Sequence, residues 1–145
     1  MKKTILASIL ALSSITTFAQ IDQVAPQPSV WTVVSSSKGG NEIYAVRNGS
    51  FTLTKNNSGE VIFGVIGRKS LISEKTSEVY KWYVTPRGCL EEAGMITVLD
   101  ITGKYLYNSG FVFGQGTVGA DVAETICSVA TLVLKDKKPV SGKAV

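Results

Sequence analysis

Cys89 and Cys127 are the only cysteines in the chain, and they stand 38 positions apart with no CxxC spacing. What such a pair can do depends on the compartment, and the N-terminus indicates which. Lys2 and Lys3 form a positive n-region, Ile5 to Leu12 an apolar h-region, and Thr17-Phe18-Ala19 a small-x-small cleavage site, the pattern of a secretory signal. Ser13, Ser14, Thr16 and Thr17 interrupt the apolar run well short of the roughly 18 residues a membrane-spanning helix needs. Cleavage is expected after Ala19, where no cysteine offers a lipid attachment point. Outside the reducing cytosol, the economical reading of two cysteines is one disulfide. A reactive thiol would want a second nearby cysteine or a histidine to lower its pKa, and the chain contains no histidine. A cross-link of this span is worth roughly 4 kcal/mol in the chain-entropy estimate, a large share of a small domain's net stability. It obliges the segments around residues 89 and 127 to meet.

The second of those segments carries the clearest helix signal. Val118, Val122, Ile126 and Val129 recur at helical spacing with Ala123, Cys127 and Ala130 beside them, while Asp121, Glu124, Thr125 and Ser128 fall on the outward side. Thr117 or Gly119 can cap its start, and Asp121 and Glu124 suit the positive end of the helix dipole. Thr131 to Leu134 either extends this helix or adds a short strand.

Upstream, period-two alternation predicts strands. Val30 to Ser35 places Trp31 and Val33 on one face and Val30, Thr32 and Val34 on the other. Glu42 to Arg47 follows, then Asn48-Gly49 and a short FTLT. Glu60 to Lys69 is apolar on both faces, as a central strand would be, with Gly64 and Gly67 marking a bulge, a bend or a close backbone approach. Thr76 to Thr85 is a long aromatic strand that stops at Pro86-Arg87-Gly88, and Glu91 to Gly94 is read as a connection. Met95 to Ile101 and Lys104 to Asn108 form a hairpin about Thr102-Gly103, and Ser109-Gly110 is expected to separate it from Phe111-Val112-Phe113. The fold class is therefore α+β: an antiparallel sheet of about six strands with one C-terminal helix packed on it and pinned by a disulfide.

The domain reading is a signal peptide at 1–19, a linker at 20–29 holding Pro26 and Pro28, one domain at 30–134, and a flexible tail at 135–145. Cleavage takes 19 of 145 residues and leaves 126, enough for one modest core. Lys2 and Lys3 leave with the signal, so the net charge falls from +4 to +2. No clustered basic face with interleaved aromatics remains, which argues against a nucleic-acid partner.

Gly114 to Gly119 spells GxGxxG after a strand-like segment and before a helix, with Asp136 about 20 positions on, as in a dinucleotide-binding fingerprint. The antiparallel meander and the exported location oppose that reading, and a glycine turn delivering the helix is preferred. The lack of histidine excludes Ser/His/Asp and Cys/His catalysis. Carboxylate chemistry would fall to pairs such as Glu91 with Glu92 or Glu74 with Glu78. No catalytic residue, cofactor or metal is assigned. Tyr80, Trp82, Tyr83, Tyr105 and Tyr107 are the candidate binding face, since Tyr and Trp suit interfaces. Tyr80, Trp82 and Val84 alternate with Val79, Lys81 and Tyr83, so one of these two sets must face the core.

An early tryptophan in VWTVVSS, the tyrosine strand EIYAV, a long central strand, Cys89, the hairpin VLDITGKYLYNSG and a helix reaching ETIC follow one another between Val30 and Ala130. In this the chain resembles the surface-adhesin protein E-like family of small exported bacterial domains. The resemblance implies a six-stranded antiparallel sheet with a C-terminal helix held by Cys89 and Cys127, and, for the founding adhesin, binding to host extracellular-matrix proteins. The founding adhesin's lipidated cysteine has no counterpart here, nor do its ligand-binding residues. The expectation is a periplasmic or secreted, non-enzymatic binding domain that contacts a host-matrix or envelope protein through a sheet face or edge. A periplasmic enzyme with a carboxylate site, or a structural or inhibitor-like protein, is the alternative.

Overall fold

Strands alternate their side chains between two faces while a helix presents one stripe, and the chain uses both periods to build a two-layer domain. A computed structural model describes residues 30–136; the expected signal peptide at 1–19, the expected linker at 20–29 and the chain beyond Asp136 lie outside them. The elements are β1 (Trp31–Ser36), β2 (Glu42–Arg47), β3 (Thr52–Lys55), β4 (Val61–Leu71), β5 (Thr76–Val84), α1 (Pro86–Glu91), β6 (Ala93–Asp100), β7 (Tyr105–Val112) and α2 (Val118–Asp136).

The strands form one antiparallel sheet in the order β1-β2-β4-β5-β6-β7, with β3 also paired to β4. β2 lies against Gly67 to Leu71 and β3 against Val61 to Gly64. The two are thus successive pieces of one rank, broken at Asn48 to Phe51, and seven strands fill six ranks. α2 packs across the sheet as the α+β reading expects. Val46, Phe63, Val65, Trp82, Val84 and Ile96 face Val122, Ala123, Ile126, Cys127 and Ala130, and Ile126 and Val84 are fully buried. Small residues bring helix and sheet close: a Cβ on Gly119 would lie 2.9 Å from the Gly110 carbonyl oxygen.

Gly64 and Gly67 are close approaches. A Cβ at Gly64 would meet the Tyr83 ring at 2.4 Å, and one at Gly67 would meet the Trp82 ring at 2.3 Å. The aromatic rings lie over bare backbone.

Four segments differ from the sequence expectation. Ser109-Gly110 does not separate two strands; β7 runs through it, with Ser109 opposite Ile96 and Gly110 opposite Met95. Cross-strand pairing outweighs the local turn propensity. The stop at Pro86 is the start of α1, where Pro86 opens the helix and the Thr85 hydroxyl accepts the Gly88 N–H at 3.0 Å. Glu92 closes α1 in the left-handed region at φ 55°. Thr131 to Leu134 extends α2, one of the two expected alternatives, and the helix runs on through Lys135 and Asp136, the first residues of the expected flexible tail. In β1 the register shifts between Val33 and Ser35, a bulge at Val34. It buries Ser35, whose hydroxyl donates to Asp121 Oδ2 at 2.6 Å and ties the edge of the sheet to the first turn of α2.

Candidate functional site

β2 and β5 carry the same short pattern, Glu-x-Tyr: Glu42 and Tyr44, Glu78 and Tyr80. Two residues apart on a strand, carboxylate and phenol share a face. Tyr44 donates its hydroxyl to Glu42 Oε2 at 2.8 Å, and Tyr80 donates to Glu78 Oε2. On β4 between them, Lys69 stands in register with both Tyr44 and Glu78. Its ammonium pairs with Glu42 Oε1 at 2.7 Å and lies 5.8 Å from the centre of the Tyr44 ring.

These strands meet the N-terminal end of α2 at a cavity of about 150 Å3. Tyr44, Tyr80, Trp82 and Tyr107 give it aromatic walls, with Lys69 on one side and Val118, Gly119 and Val122 of the helix above. Trp82 is buried, Tyr107 is half exposed, and the Tyr44 and Trp82 rings are tilted against each other at 6.4 Å. The volume lies below the roughly 300–1,000 Å3 of pockets for whole small molecules, and suits a single side chain.

The electrostatics are unequal across the cavity. Hydrogen bonds from Lys69 and Tyr44 hold the Glu42 carboxyl below its usual range, and Glu42 in turn raises Lys69. Burial, then the Glu42 hydrogen bond, raises the Tyr44 phenol. Tyr80 is raised further, by burial first and then by Glu78. Lys69 is engaged with Glu42, whereas Glu78 has no cationic partner within ion-pair distance among the described residues. The helix end does not supply a free positive pole: the Thr117 hydroxyl accepts the Ala120 N–H at 3.2 Å, and Asp121 sits in the first turn.

Of the five expected binding-face aromatics, Tyr80, Trp82 and Tyr107 come together in this cavity. Tyr83 and Tyr105 line a separate depression of about 550 Å3 on the opposite face of the sheet. The division of Tyr105 from Tyr107 comes from a bulge. Tyr107 pairs with Val98 but Tyr105 pairs with Leu99, so Leu106 is the extra residue and its two neighbours point to opposite faces. Tyr44, Lys69 and Glu42 were not among the expected site residues, although the repeated Glu-x-Tyr was a signal for them.

Cys89 of α1 and Cys127 of α2 form the expected disulfide, with Cα atoms 5.5 Å apart. A groove of about 510 Å3 runs beside it between the two helices, with exposed Leu90 and Leu134 at its walls. Among the described residues lining that groove, Glu124 is the only ionisable one, and its Oε1 accepts the Gly114 N–H at 2.8 Å. The GxGxxG string is a turn. Gly114 and Gly116 adopt φ of 75° and 63°, which favour glycine, and Gly119 lies in the first turn of α2 against the β7 backbone. Glu91 pairs with Arg87 at 2.7 Å across one turn of α1, and Glu92 is the exposed helix cap. Glu74 lies in the turn between β4 and β5. No group of three or more Cys, Asp or Glu side chains among the described residues is placed to hold a metal ion, and none of the described helices is long and apolar enough to cross a membrane.

Compared with known proteins, the chain matches no family model, no curated protein and no solved structure.

Proposed function

We propose that the chain is an exported, non-enzymatic binding domain that lays an extended segment of a partner protein along β7 and takes one side chain of that segment into the aromatic cavity. The observation that carries this reading is the character of β7. It is the last strand of the sheet, eight residues long, reads YLYNSGFV without a charge or a proline, and supplies Tyr107 and Ser109 to the cavity. Edge strands are commonly guarded by lysine, proline or short length; apart from its bulge at Leu106, β7 lacks these guards. Tyr105, Leu106 and Tyr107 are 57%, 41% and 50% exposed. An open edge of this kind pairs with an added strand through main-chain hydrogen bonds, while neighbouring pockets choose its side chains.

The resemblance to surface-adhesin E-like domains and the export signal support the same reading, and direct it to a host-matrix or envelope protein met in the periplasm or outside the cell. The disulfide suits such surroundings. Photo-crosslinking tests it: a benzophenone amino acid replaces Leu106 or Tyr107 in the full chain, expressed with its signal. A discrete adduct from β7, and none from Val33 at the opposite edge, is the expected result. Absence of adducts from β7, or equal yields at Val33, would refute the proposal.

A further inference from the structure

α1 and α2 lie on one side of the sheet, and no described helix covers the other. Strand alternation divides the charges between these two faces. Every carboxylate borne by a strand, Glu42, Glu78 and Asp100, falls on the helix side with Tyr44, Tyr80 and Lys69. Arg47, Arg68 and Lys81 fall on the open side. Arg68 is in register with Ala45 and Val79, Lys81 with Ile66, and Arg47 follows the Val46–Gly67 pair. The three cations therefore occupy three neighbouring ranks, β2, β4 and β5. With ranks about 4.8 Å apart and same-face neighbours about 7 Å apart along a strand, their Cα atoms lie within roughly 10 Å of one another.

None of the three has a carboxylate within ion-pair distance among the described residues. Arg68 lays its guanidinium over the Trp31 ring at 4.7 Å, and its Nε is buried with no hydrogen-bond partner. A buried donor left unmet is costly, and the guanidinium fork matches the paired oxygens of a carboxylate, sulfate or phosphate. Glu60 and Glu74 stand outside the two ends of β4, and Glu60 accepts from Asn56 Nδ2 at 3.2 Å.

The site lies in the middle of a sheet, where the backbone groups are already paired. An extended acidic peptide laid there would bury its own amides without partners. A twist of roughly 20–25° from strand to strand keeps a broad sheet from lying flat on a lipid surface, and the export signal directs the chain away from nucleic acid. An acidic polysaccharide meets none of these obstacles: its sulfate and carboxylate groups project from the sugar rings, whose C–H faces pack on side chains such as Trp31, Ile66 and Val79.

We infer that the open face docks an acidic polysaccharide, with one sulfate or carboxylate group held by Arg68 and its neighbours by Arg47 and Lys81. This surface lies across the sheet from the aromatic cavity and does not use the β7 edge, so it stands whether or not a protein segment docks there. A polysaccharide also contributes no protein adduct at Val33.

Titration of the oxidised chain with a fluorescein-labelled heparin oligosaccharide at physiological ionic strength tests it, and saturable binding is expected. Arg68→Gln and, separately, Arg47→Gln/Lys81→Gln should each weaken binding about tenfold. Lys75→Gln/Lys135→Gln, which removes charge from a turn and from α2, should change it less than about twofold. Circular dichroism checks each fold, and the double variant at Arg47 and Lys81 leaves the buried Nε of Arg68 in place. No saturable binding, or equal losses in all three variants, would overturn the inference. Poly-glutamate, oligothymidylate or phosphatidylglycerol vesicles that displace the label as well as unlabelled heparin does would overturn it in favour of an acidic protein, a nucleic acid or a membrane.

Discussion

Breaking the Cys89–Cys127 bond should remove close to half of a typical small domain's stability. The bond joins α1 to α2 across a sequence separation of 38 and encloses β6, β7 and the glycine turn. Closing a loop of that size restricts the unfolded chain by about 4 kcal/mol, against a usual net stability of roughly 5–15 kcal/mol. Reduction keeps both sulfur atoms and isolates this chain-entropy contribution. The double variant Cys89→Ala/Cys127→Ala also deletes a buried sulfur, since Cys127 is 7% exposed in the core, and should cost about 1 kcal/mol more than reduction. Urea unfolding followed by circular dichroism and tryptophan fluorescence measures both. The unfolding midpoint should drop sharply in each case, with reduction accounting for most of the loss. A loss under about 1 kcal/mol on reduction would mean that packing alone holds α2 on the sheet, and two free thiols in untreated exported protein would refute the cross-link itself.

Gly67→Ala should destabilise by about 1–3 kcal/mol in the same urea assay, because its methyl would enter the Trp82 ring at 2.3 Å; an unchanged midpoint would show that the ring moves freely. Ser35→Ala leaves Asp121 without the hydroxyl bonded at 2.6 Å and should cost about 1 kcal/mol, read as a small drop in midpoint. Tyr80 has its phenol raised above the usual 10.0 by burial and by Glu78. The stability this represents is complete below pH 10 and is lost as pH rises from there toward the folded-state value. Ultraviolet titration of the folded protein should show late-ionising phenols, the last of which is lost in Tyr80→Phe.

The parts of the fold that declare themselves in the sequence have long, regular signals. The stripe from Val118 to Val129 predicts α2, and the paired cysteines place it on the sheet. α1 is a single short turn of helix whose one marker is Thr85-Pro86, a cap followed by proline at the first helical position, easily taken for a strand terminator. β7 hides behind Ser109-Gly110 because the pairing with Met95 and Ile96 that holds it straight is a property of the assembled sheet. The candidate site was legible in the same uneven way. The alternation around Tyr80 and Trp82 places those two on one face without any structure. Tyr105 and Tyr107 are two apart and share a face in a regular strand, but the bulge at Leu106 turns them to opposite faces, and no local residue pattern announces it. The cavity needs β2, β4, β5 and β7 together, so only the topology brings Tyr44 and Lys69 to Trp82.

Amide hydrogen exchange on the oxidised chain, free and saturated with a peptide selected for dependence on Tyr107, measures whether the partner docks on β7 beside the cavity. The expected result is new protection confined to β7, centred on Tyr105 to Ser109, with β1 and the face bearing Lys81 and Tyr83 unchanged. Protection gained at β1 or along the groove beside Leu90 and Leu134, with β7 exchanging as in the free protein, would contradict it.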